Sequence, residues 1–435
     1  MNGKYKGVTT GKVRRITAMT KILSGFLSLL FYSATSYAAT ITVSAGDSLA
    51  DKINGASGGD TVLVGSGTYG AFQITDRNFP EAQPLIIRAA PGTKPVVQGT
   101  DWYLAPITRS SYIVLDGLTF DGGGQPLYCT DVNHLILINL EVRNTGQEAV
   151  HILGTSRYVD IINCHIHHTG SVAPQWAEGI YIGSGSQPFM NEEHIWIEGN
   201  DIHHTGSSEA INIKAQCYHI TVRGNKLHDI SPGTASQYNE AALSVEAADL
   251  TFRPGVDLDI WIEDNEIYNV TFGQWANGIK TSTAGPRIKN NYIHDCEEYG
   301  IYFNSYGDGP GRFTNVVYSN RIENCGSGTT NVTTLPVVEQ DPGANPNGPQ
   351  QWYPSNDQPP APVISITLTS AQPGMVELSW PSMNGVTYSI YRTTNLLTGW
   401  AGEPLTNGIN GDGSTKVFAA PIGSDPSCFY RIKAM

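Results

Sequence analysis

Apolar and polar residues alternate in a series of short segments along the middle of the chain. In the segment EAINIK, Ile211 and Ile213 alternate with Asn212 and Lys214, and a carboxylate, Glu209, opens the segment. A period of two residues is typical of a half-buried β-strand. We therefore predict strands whose apolar residues point inward, as the pairs Ile180/Ile182, Ile211/Ile213 and Ile301/Phe303 would.

The segment belongs to a repeat with spacings of 30, 31, 31, 37 and 22 residues. Each copy is followed by a second block such as GNDIHHTG, with Gly and Asn at its turns. The repeats lack helical periodicity and are rich in β-branched residues, which favours a parallel β-helix. The copies begin at Glu148, Glu178, Glu209, Glu240, Asn277 and Tyr299.

Stacking of successive coils about 4.8 Å apart would align equivalent residues in columns. Cys296 and Cys325 fall in one column a single coil apart, close enough for a disulfide or a buried thiol stack. Asparagines at equivalent turns are expected to form an amide ladder. Its members are Asn200, Asn225, Asn265, Asn291 and Asn320.

Composition divides the chain into four segments. Residues 1–38 join basic residues to the apolar run ILSGFLSLLFY, which is too short to span a membrane, so we expect a secretory signal cleaved after Ala38. Residues 39–325 are predicted to form a right-handed parallel β-helix, with a helix from about Ser48 to Asn54 covering its open end. Residues 326–362 are Pro- and Gly-rich and predict a linker. Residues 363–435 alternate like a small β-sandwich and resemble fibronectin type III-like modules.

The charge balance narrows the possible partners. Residues 1–38 carry six positive charges and no acids, so their removal changes the net charge from −13 to −19. This excludes nucleic acid as a partner and counts against an anionic polysaccharide, unless basic residues are concentrated locally or a cation bridges. No other stretch is apolar enough to span a bilayer, so we expect a secreted, periplasmic or cell-surface monomer.

The residues between the inward apolar positions predict a solvent-exposed strip. Aromatic and titratable groups are concentrated there, which is typical of a sugar-binding cleft. The first outward column is predicted to hold His151, Tyr181, Asn212, Leu243, Lys280 and Tyr302. The next holds Leu153, Gly183, Lys214, Val245, Ser282 and Asn304, with Glu148, Glu178, Glu209 and Glu240 at the strand entrances.

A run of histidines follows the predicted asparagine ladder. Because these residues lie at turns and lack a carboxylate partner at zinc spacing, we favour a structural role over a zinc site. The run comprises His167, His168, His203, His204, His228 and His294.

The helix at the start, the motifs GDTVLVGSGTY and PLIIRAAPGTKPVV and the looping coils resemble secreted polysaccharide lyases of the right-handed β-helix type, such as alginate lyases and chondroitinase B. In those enzymes a Glu precedes a catalytic Lys by five residues, a spacing matched here by Glu209 and Lys214. The resemblance implies that Lys214 acts as base and that calcium binds the acidic residues, for which Glu178, Glu209 and Glu240 are the candidates. Two departures are Ser207 in place of a second acid and AALSVEAA, with Glu246 nearby, in place of the partner Arg strand.

The chemistry of β-elimination assigns the other residues of the strip. Lys280 would assist electrostatically, Tyr181 or Tyr302 would protonate the leaving oxygen, and His151 completes the catalytic candidates. Asn212, Tyr302 and Asn304 are candidates for substrate binding.

Three functions remain open from the sequence. The first is a lyase that cleaves a uronate-containing polysaccharide by β-elimination. The second is a β-helix glycoside hydrolase using two of the four strand-entrance glutamates as a carboxylate pair. The third is a non-catalytic glycan-binding or surface protein, because fold alone does not decide function.

Overall fold

The fold was analysed in a computed structural model of the 435-residue chain. The structure describes residues 38–184, 192–214, 217–231, 241–246, 258–271, 276–281, 285–303, 315–330, 337–353, 365–368, 375–382, 387–393, 404–412, 414–421 and 429–434. The predicted signal segment and two site candidates, Glu240 and Asn304, lie outside these residues. Among the described residues no helix combines the length and the apolar character needed to cross a membrane.

Three parallel sheets, here named A, B and C, form the stacked coils within the described ranges. Sheet A contains Thr40–Val43, Thr61–Val64, Leu85–Ala89, Ser111–Asp116, Asn133–Ile138, Arg157–Ile162, Glu193–Glu198, Tyr218–Arg223, Ile260–Glu263, Arg287–Lys289, Asn315–Tyr318 and Val337–Glu339. Sheet B contains Thr68–Tyr69, Val96–Gly99, Thr119–Gly122, Glu141–Arg143, His165–His167, Asp201–His203, Lys226–Ile230, Glu266–Val270, Tyr292–Cys296 and Arg321–Glu323. Sheet C contains Ile74–Thr75, Ile107–Thr108, Leu127–Thr130, Val150–Leu153, Ile180–Ile182, Ile211–Ile213, Ala241–Val245, Asn277–Thr281, Tyr299–Phe303 and Gly328–Thr330. Within the described residues ten coils contribute one strand to each sheet, and sheet A has one further strand at each end, Thr40–Val43 and Val337–Glu339. This arrangement confirms the parallel β-helix.

The inward residues form one continuous apolar core. Ile211 is in register with Ile180, and Ile213 with Ile182; all four are fully buried. Ile301 and Phe303 are buried in the same core. The predicted inward positions are therefore confirmed, and stacking of like side chains between coils supplies the hydrophobic stabilisation that short strands cannot supply alone.

The asparagine ladder is also confirmed. Asn225 donates from Nδ2 to Asn265 Oδ1 at 3.0 Å, and Asn200 donates to Asn225 Oδ1 at 2.9 Å. Asn291 and Asn320 continue the column with a contact of 2.9 Å. Each of these amides also donates to a backbone carbonyl of the preceding coil, so the ladder satisfies buried turn groups that would otherwise lack partners.

The N-terminal helix forms where the sequence predicts it. It spans Leu49–Gly55, with Ser48 as N-cap accepting a hydrogen bond from the Asp51 amide at 3.1 Å. Leu49 and Ile53 are buried against the core at the first coil. A short 3₁₀ helix, Pro174–Trp176, precedes one of the sheet C strands.

Part of the predicted linker lies along the β-helix. Strands Gly328–Thr330 and Val337–Glu339 extend the stack past residue 325, and residues up to Tyr353 run across the outside of sheet A. There the Tyr353 hydroxyl donates to Asp116 Oδ2 at 2.7 Å, and the Gln350 amide donates to Asp160 Oδ2 at 2.8 Å. Burial raises the pKa of Asp160 to about 7. The low apolar content of this segment led to the prediction of a linker, because the contacts that hold it against sheet A are mainly polar.

The C-terminal residues form two three-stranded antiparallel sheets in the described ranges. One contains Ser365–Leu368, Met375–Pro381 and Thr415–Pro421, and the other contains Thr387–Thr393, Thr406–Asn410 and Phe429–Ala434. Their small core is separate from that of the β-helix and includes Trp380 and Tyr388. This agrees with a small β-sandwich, while the resemblance to fibronectin type III remains a prediction.

Cys296 and Cys325 are neighbours in consecutive coils of sheet B, as their column predicts. Both are free thiols in this structure. A hydrogen bond from Cys296, which is the largest cause, lowers the pKa of Cys325 to about 7. The same pairing, with burial, raises the pKa of Cys296.

Candidate functional site

The outer face of sheet C brings most of the predicted site residues together. His151, Tyr181 and Asn212 are in register on three consecutive strands. The next residue in this column is Ser244, followed by Lys280 and Tyr302. The prediction of Leu243 in the column is wrong by one residue, because Leu243 pairs with Ile211 and points into the core.

This slip changes which residue stands beside Lys214. The neighbouring position in the next coil is Glu246, whose amide bonds to the carbonyl of Ile213 at 2.8 Å. Lys214 Nζ lies 3.0 Å from Glu246 Oε1. The prediction of Val245 at this position is therefore also wrong. Glu246 thus lies in the coil where the resemblance to the lyases implies an arginine.

The glutamate column is confirmed for three coils. Backbone bonds from Ala149 to the Glu178 carbonyl and from Gly179 to the Glu209 carbonyl stack Glu148, Glu178 and Glu209. In the next coil the amide of Ala210 bonds to the carbonyl of Ala242, so Ala241 is the residue aligned with Glu209. Glu240 precedes Ala241 and lies outside the described residues, so its predicted place in the column stays a prediction.

The strip is buried, whereas the sequence predicts a solvent-exposed one. His151, Tyr181, Asn212 and Lys280 are each no more than 8% exposed. Glu148, Glu178 and Glu209 are 6%, 2% and 0% exposed. Tyr302 is half-buried. The alternation of apolar and polar residues predicts that these side chains point away from the core, but it does not predict which residues pack over them.

Burial makes this group of carboxyls unusual. Burial raises the pKa of Glu178 well above its usual value, and the charges of Glu209 and Glu148 raise it further. Burial also raises the pKa of Glu209 and of Glu148, against the opposing effect of Lys214. These shifts favour the neutral acid, which can donate a hydrogen bond or a proton.

Lys214 is held in its charged form. Burial by itself would lower its pKa, but Glu246, Tyr181 and Glu209 outweigh that effect and raise the pKa above its usual value. Its Nζ also lies 5.1 Å from the centre of the Tyr181 ring, at cation–π distance. A lysine base needs a depressed pKa, so the free protein does not prepare Lys214 for the role of base that the resemblance implies.

The His151 ring is neutral and leaves one nitrogen able to accept a hydrogen bond or a proton. Its Nε2 lies 3.1 Å from the carbonyl oxygen of Gly183, a contact that requires Nε2 to carry the proton. Its Nδ1 therefore holds a free electron pair, and this buried atom has no hydrogen-bond partner. Burial lowers the pKa of His151 to about 4, so the ring is neutral at pH 7. The Tyr181 ring meets it edge-on, with ring centres 4.6 Å apart.

Four buried polar atoms on this face lack partners within the described residues. They are His151 Nδ1, Glu178 Oε2, Asn212 Oδ1 and Ser244 Oγ. Buried polar groups are normally hydrogen-bonded, and a lost partner costs about 1–3 kcal/mol each. Their concentration around one strip indicates a site that a polar ligand completes. The candidate site also includes three residues that the sequence did not predict: Ser244, Glu246 and Gln125. Gln125 Nε2 donates to Glu148 Oε2 at 2.6 Å. Only the pairing of strands between coils shows that these residues lie beside the others.

The described donors fit calcium poorly. Calcium takes six to eight oxygen ligands, but both oxygens of Glu209 already accept hydrogen bonds, from Asn212 and Ser208 at 3.1 Å. The ammonium of Lys214 supplies positive charge beside the same carboxylates. Ala241 is in register where a third carboxylate was expected, so the described residues offer too few oxygen ligands for calcium.

Comparison with known proteins supports the fold. The family described as a right handed beta helix region matches residues 106–253. The chain is a right-handed parallel β-helix. An alginate lyase from Paenibacillus sp. str. FPU-7 superposes with a TM-score of 0.51 and 20% identity, covering 67% of this chain and 99% of that one.

Other solved β-helices are more distant. The pectate lyase Pel9A gives a TM-score of 0.45 at 14% identity, covering 70% of this chain and 82% of that one. The catalytic domain of a GH87 α-1,3-glucanase gives 0.40 at 13% identity, covering 67% of this chain and 66% of that one. No curated protein sequence matches the chain. The likeness to the alginate lyase, at 20% identity, supports the fold alone, so the activity is inferred from the site.

Proposed function

We propose that the protein is a carbohydrate-active enzyme, and specifically a lyase that cleaves a uronate-containing polysaccharide by β-elimination. The observation that supports this most is the cluster of unpartnered buried polar atoms beside the charged Lys214. A uronate offers hydroxyl groups for the unpartnered atoms of Asn212 and Ser244, and a carboxylate that can share the Lys214 ammonium with Glu246. The names of the β-helix neighbours, which include an alginate lyase and a pectate lyase, agree with that substrate class.

The reaction requires a base, a group that stabilises negative charge and an acid. His151 Nδ1 removes the proton next to the uronate carboxylate, because its electron pair is free and the ring is neutral. Lys214, assisted by Lys280 in the same strip, stabilises the negative charge that develops on the carboxylate. Tyr181 lies between His151 and Lys214 and protonates the leaving glycosidic oxygen.

The neutral carboxyls also suit an anionic substrate. A protonated Glu178 donates a hydrogen bond to a carboxylate, whereas an ionised one would repel it. Asn212 binds the sugar through the amide oxygen that lacks a protein partner, and Tyr302 contributes a ring at the edge of the strip. Asn304 remains a candidate outside the described residues.

A carboxylate-pair hydrolase is the second candidate, and the raised pKa of Glu178 favours it. Glu178 and Glu209 are aligned one coil apart, where strands lie about 4.8 Å from each other, so their carboxyls can approach the separation of roughly 5–5.5 Å found in retaining glycosidases. We place it second because both oxygens of Glu209 are already bonded, which leaves a poor nucleophile.

Product chemistry separates the two. The full chain is incubated with alginate, pectate, chondroitin and a neutral glucan, with and without a chelator. A lyase gives ultraviolet absorbance from the new double bond on a uronate polymer, whereas a hydrolase gives reducing ends without that absorbance. Reducing ends alone would refute the lyase, and no product on any polymer would favour a glycan-binding role.

The assignment of the base is tested with substitutions. We expect His151→Gln to lower the rate at least about 100-fold, the usual contribution of general base catalysis. Lys226→Gln, on sheet B, is the control and should retain the wild-type rate. If His151→Gln cleaves at the wild-type rate, another group is the base and Lys214 becomes the first alternative.

We further propose that the protein is exported and acts as a monomer. The support is the basic and apolar character of residues 1–38. N-terminal sequencing of the protein recovered from the periplasm or medium should begin after Ala38, and its elution volume should match one chain. An uncleaved N-terminus in the cytoplasm would contradict export.

A further inference from the structure

A histidine-rich face lies on sheet B, on a different sheet from the candidate site. His167 stacks on His203 with ring centres 5.1 Å apart, and His203 stacks on His228 at 4.9 Å. Tyr268 and His294 continue the column at 5.0 Å. Stacking alone accounts for this column, but it does not account for the atoms along its edge.

Three donor atoms from two adjacent strands converge beside the column. Asp201, His203 and His228 each offer one donor atom within 4.8 Å of the others. His228 Nε2 lies 2.8 Å from Asp201 Oδ1. His165 Nε2 lies 2.9 Å from His203 Nε2, and His165 is in register with Asp201. Two imidazole nitrogens and one carboxylate therefore form the set, and His165, in contact with His203, is the nearest candidate for a fourth ligand.

The remaining nitrogens of two of these rings are held as they are in metal centres. His228 Nδ1 lies 2.7 Å from Asp229 Oδ2 and Nε2 lies 2.8 Å from Asp201 Oδ1, so both ring nitrogens donate to carboxylates while no ion is bound. An ion that displaces the Nε2 proton would bind between Nε2 and Asp201, while Nδ1 keeps its hydrogen bond to Asp229. His203 Nδ1 lies 2.6 Å from His204 Nδ1. A hydrogen bond on the far nitrogen fixes the tautomer of a ligating histidine and makes it a better ligand.

The spacing is compatible with one small ion. Zinc binds histidine nitrogen at about 2.0–2.1 Å, which puts the ligands of a tetrahedral site about 3.3 Å apart. Two of the contacts are already shorter than that, and small rotations of these partly exposed rings close the longer ones. Imidazole with one carboxylate suits zinc, copper or nickel, whereas calcium prefers an all-oxygen shell.

We propose that His165, Asp201, His203 and His228 bind one divalent transition-metal ion of the zinc type. A second donor set, Glu141 with His165 and His167, is less suited because Glu141 Oε1 already accepts from Arg143 at 2.6 Å. The ion ties three coils together. The ion takes no part in the proposed reaction. Because the ion binds only the folded state, it stabilises the β-helix.

Zinc binding to the full chain tests the proposal. The protein is prepared without a polyhistidine tag, stripped with a chelator and dialysed, then titrated with zinc chloride by calorimetry. We expect about one equivalent to bind with a dissociation constant in the micromolar range or below and to raise the melting temperature. Magnesium chloride should do neither.

Substitutions locate the site. Asp201→Asn and His228→Gln should each weaken zinc binding at least tenfold and remove the rise in melting temperature. His294→Gln is the matched control, because His294 is in the same column and its Nδ1 contacts Asp295 at 2.6 Å, but no second histidine nitrogen meets it in the described residues. It should bind zinc as the wild type does.

Two results would overturn the proposal. One is wild-type protein that binds no zinc, and the other is zinc binding unchanged in both Asp201→Asn and His228→Gln. If a variant fails to fold, the visible absorption spectrum of the cobalt complex of the wild type tests the proposal instead. Intense tetrahedral visible absorption supports the site, and the weak spectrum of the hydrated ion refutes it.

Discussion

Replacing Lys214 by methionine tests whether the sheet C face depends on an internal cation. Lys214 is 16% exposed and pairs at 3.0 Å with Glu246, which is 31% exposed. Substituting an outward-pointing lysine usually changes the free energy of unfolding little, but carboxyl groups surround Lys214. Exposed ion pairs contribute about 0–1 kcal/mol, and removing one partner of a buried pair costs about 3–5 kcal/mol. Since this pair lies between these limits, we expect a loss of about 2 kcal/mol at pH 8.

The loss should depend on pH with a definite sign. Glu178 and Glu209 have folded-state pKa values raised above their unfolded value of about 4.3. Such groups contribute most to stability below that value, and the contribution is lost as the pH rises through the raised pKa. Lys214 opposes the upward shift of both carboxyls, so its removal makes the folded state still less stable at high pH. At pH 5 the carboxyls take up protons, and the loss should fall below about 1 kcal/mol.

Urea unfolding followed by far-ultraviolet circular dichroism measures the difference. With an m-value of about 3 kcal/mol/M, a loss of 2 kcal/mol lowers the midpoint by roughly 0.7 M at pH 8. Lys226→Met is the control, because Lys226 is a strand lysine outside this cluster and contacts the Tyr268 ring at 5.4 Å. Equal shifts at pH 5 and pH 8, or no shift at either, would refute the electrostatic account.

Three further predictions concern the stacked coils and the metal. Asn225→Ala should cost roughly 2–4 kcal/mol in a urea titration because it leaves ladder partners unsatisfied, whereas Asn133→Ala, at an exposed strand position, should change little; equal effects would argue against the ladder. Gly179→Ala should lower the urea midpoint by the equivalent of about 1–3 kcal/mol, because the added Cβ would lie 2.5 Å from Ile202 Cγ2 and 2.7 Å from the Ala210 carbonyl. An unchanged midpoint would show that these coils lie farther apart. Chelator should lower the melting temperature without changing the initial rate of polymer cleavage, and a lost rate would show that a metal takes part in the reaction.

The core and the asparagine ladder could be predicted because each follows from a local rule. The period of two residues separates Ile211 and Ile213 from Asn212, and amides at equivalent turns must stack if the coils stack. Neither inference needs the exact length of the loops between coils. Both are therefore insensitive to the irregular spacing of the repeats.

The register of the strand Ala241–Val245 could not be predicted in the same way. Ala241, Ala242, Leu243 and Val245 are small or apolar, so either phase leaves apolar residues inside. Backbone pairing with Ile211 decides the phase and brings Ser244 into the strip. A one-residue slip exchanges the two faces of a strand, which is why Glu246 was missed as the partner of Lys214.

The proposed metal-ligand set could not be predicted from the sequence, because its members are distant in sequence. His203 and His228 belong to different repeats, and Asp201 contacts His228 from the neighbouring coil. Sequence spacing can identify ligands that share a helix or a turn, but here the donors come from different coils. The spacing within one repeat therefore does not reveal that Asp201 is a carboxylate partner of His228, while a structural role for the histidines stays a prediction.

The chain has a net charge of −13, which would become −19 if residues 1–38 were removed as predicted, and such a charge disfavours an anionic substrate. The site suggests how this difficulty is resolved. Formal charge counts every glutamate as ionised, yet burial raises the pKa of Glu148, Glu178 and Glu209 and shifts them toward the neutral form. Lys214 offsets the charge of Glu246, and Lys280 adds a further cation to the strip. The face that would meet a polyuronate is thus far less negative than the chain as a whole, because desolvation acts on each buried carboxyl separately while the net charge sums over the entire surface.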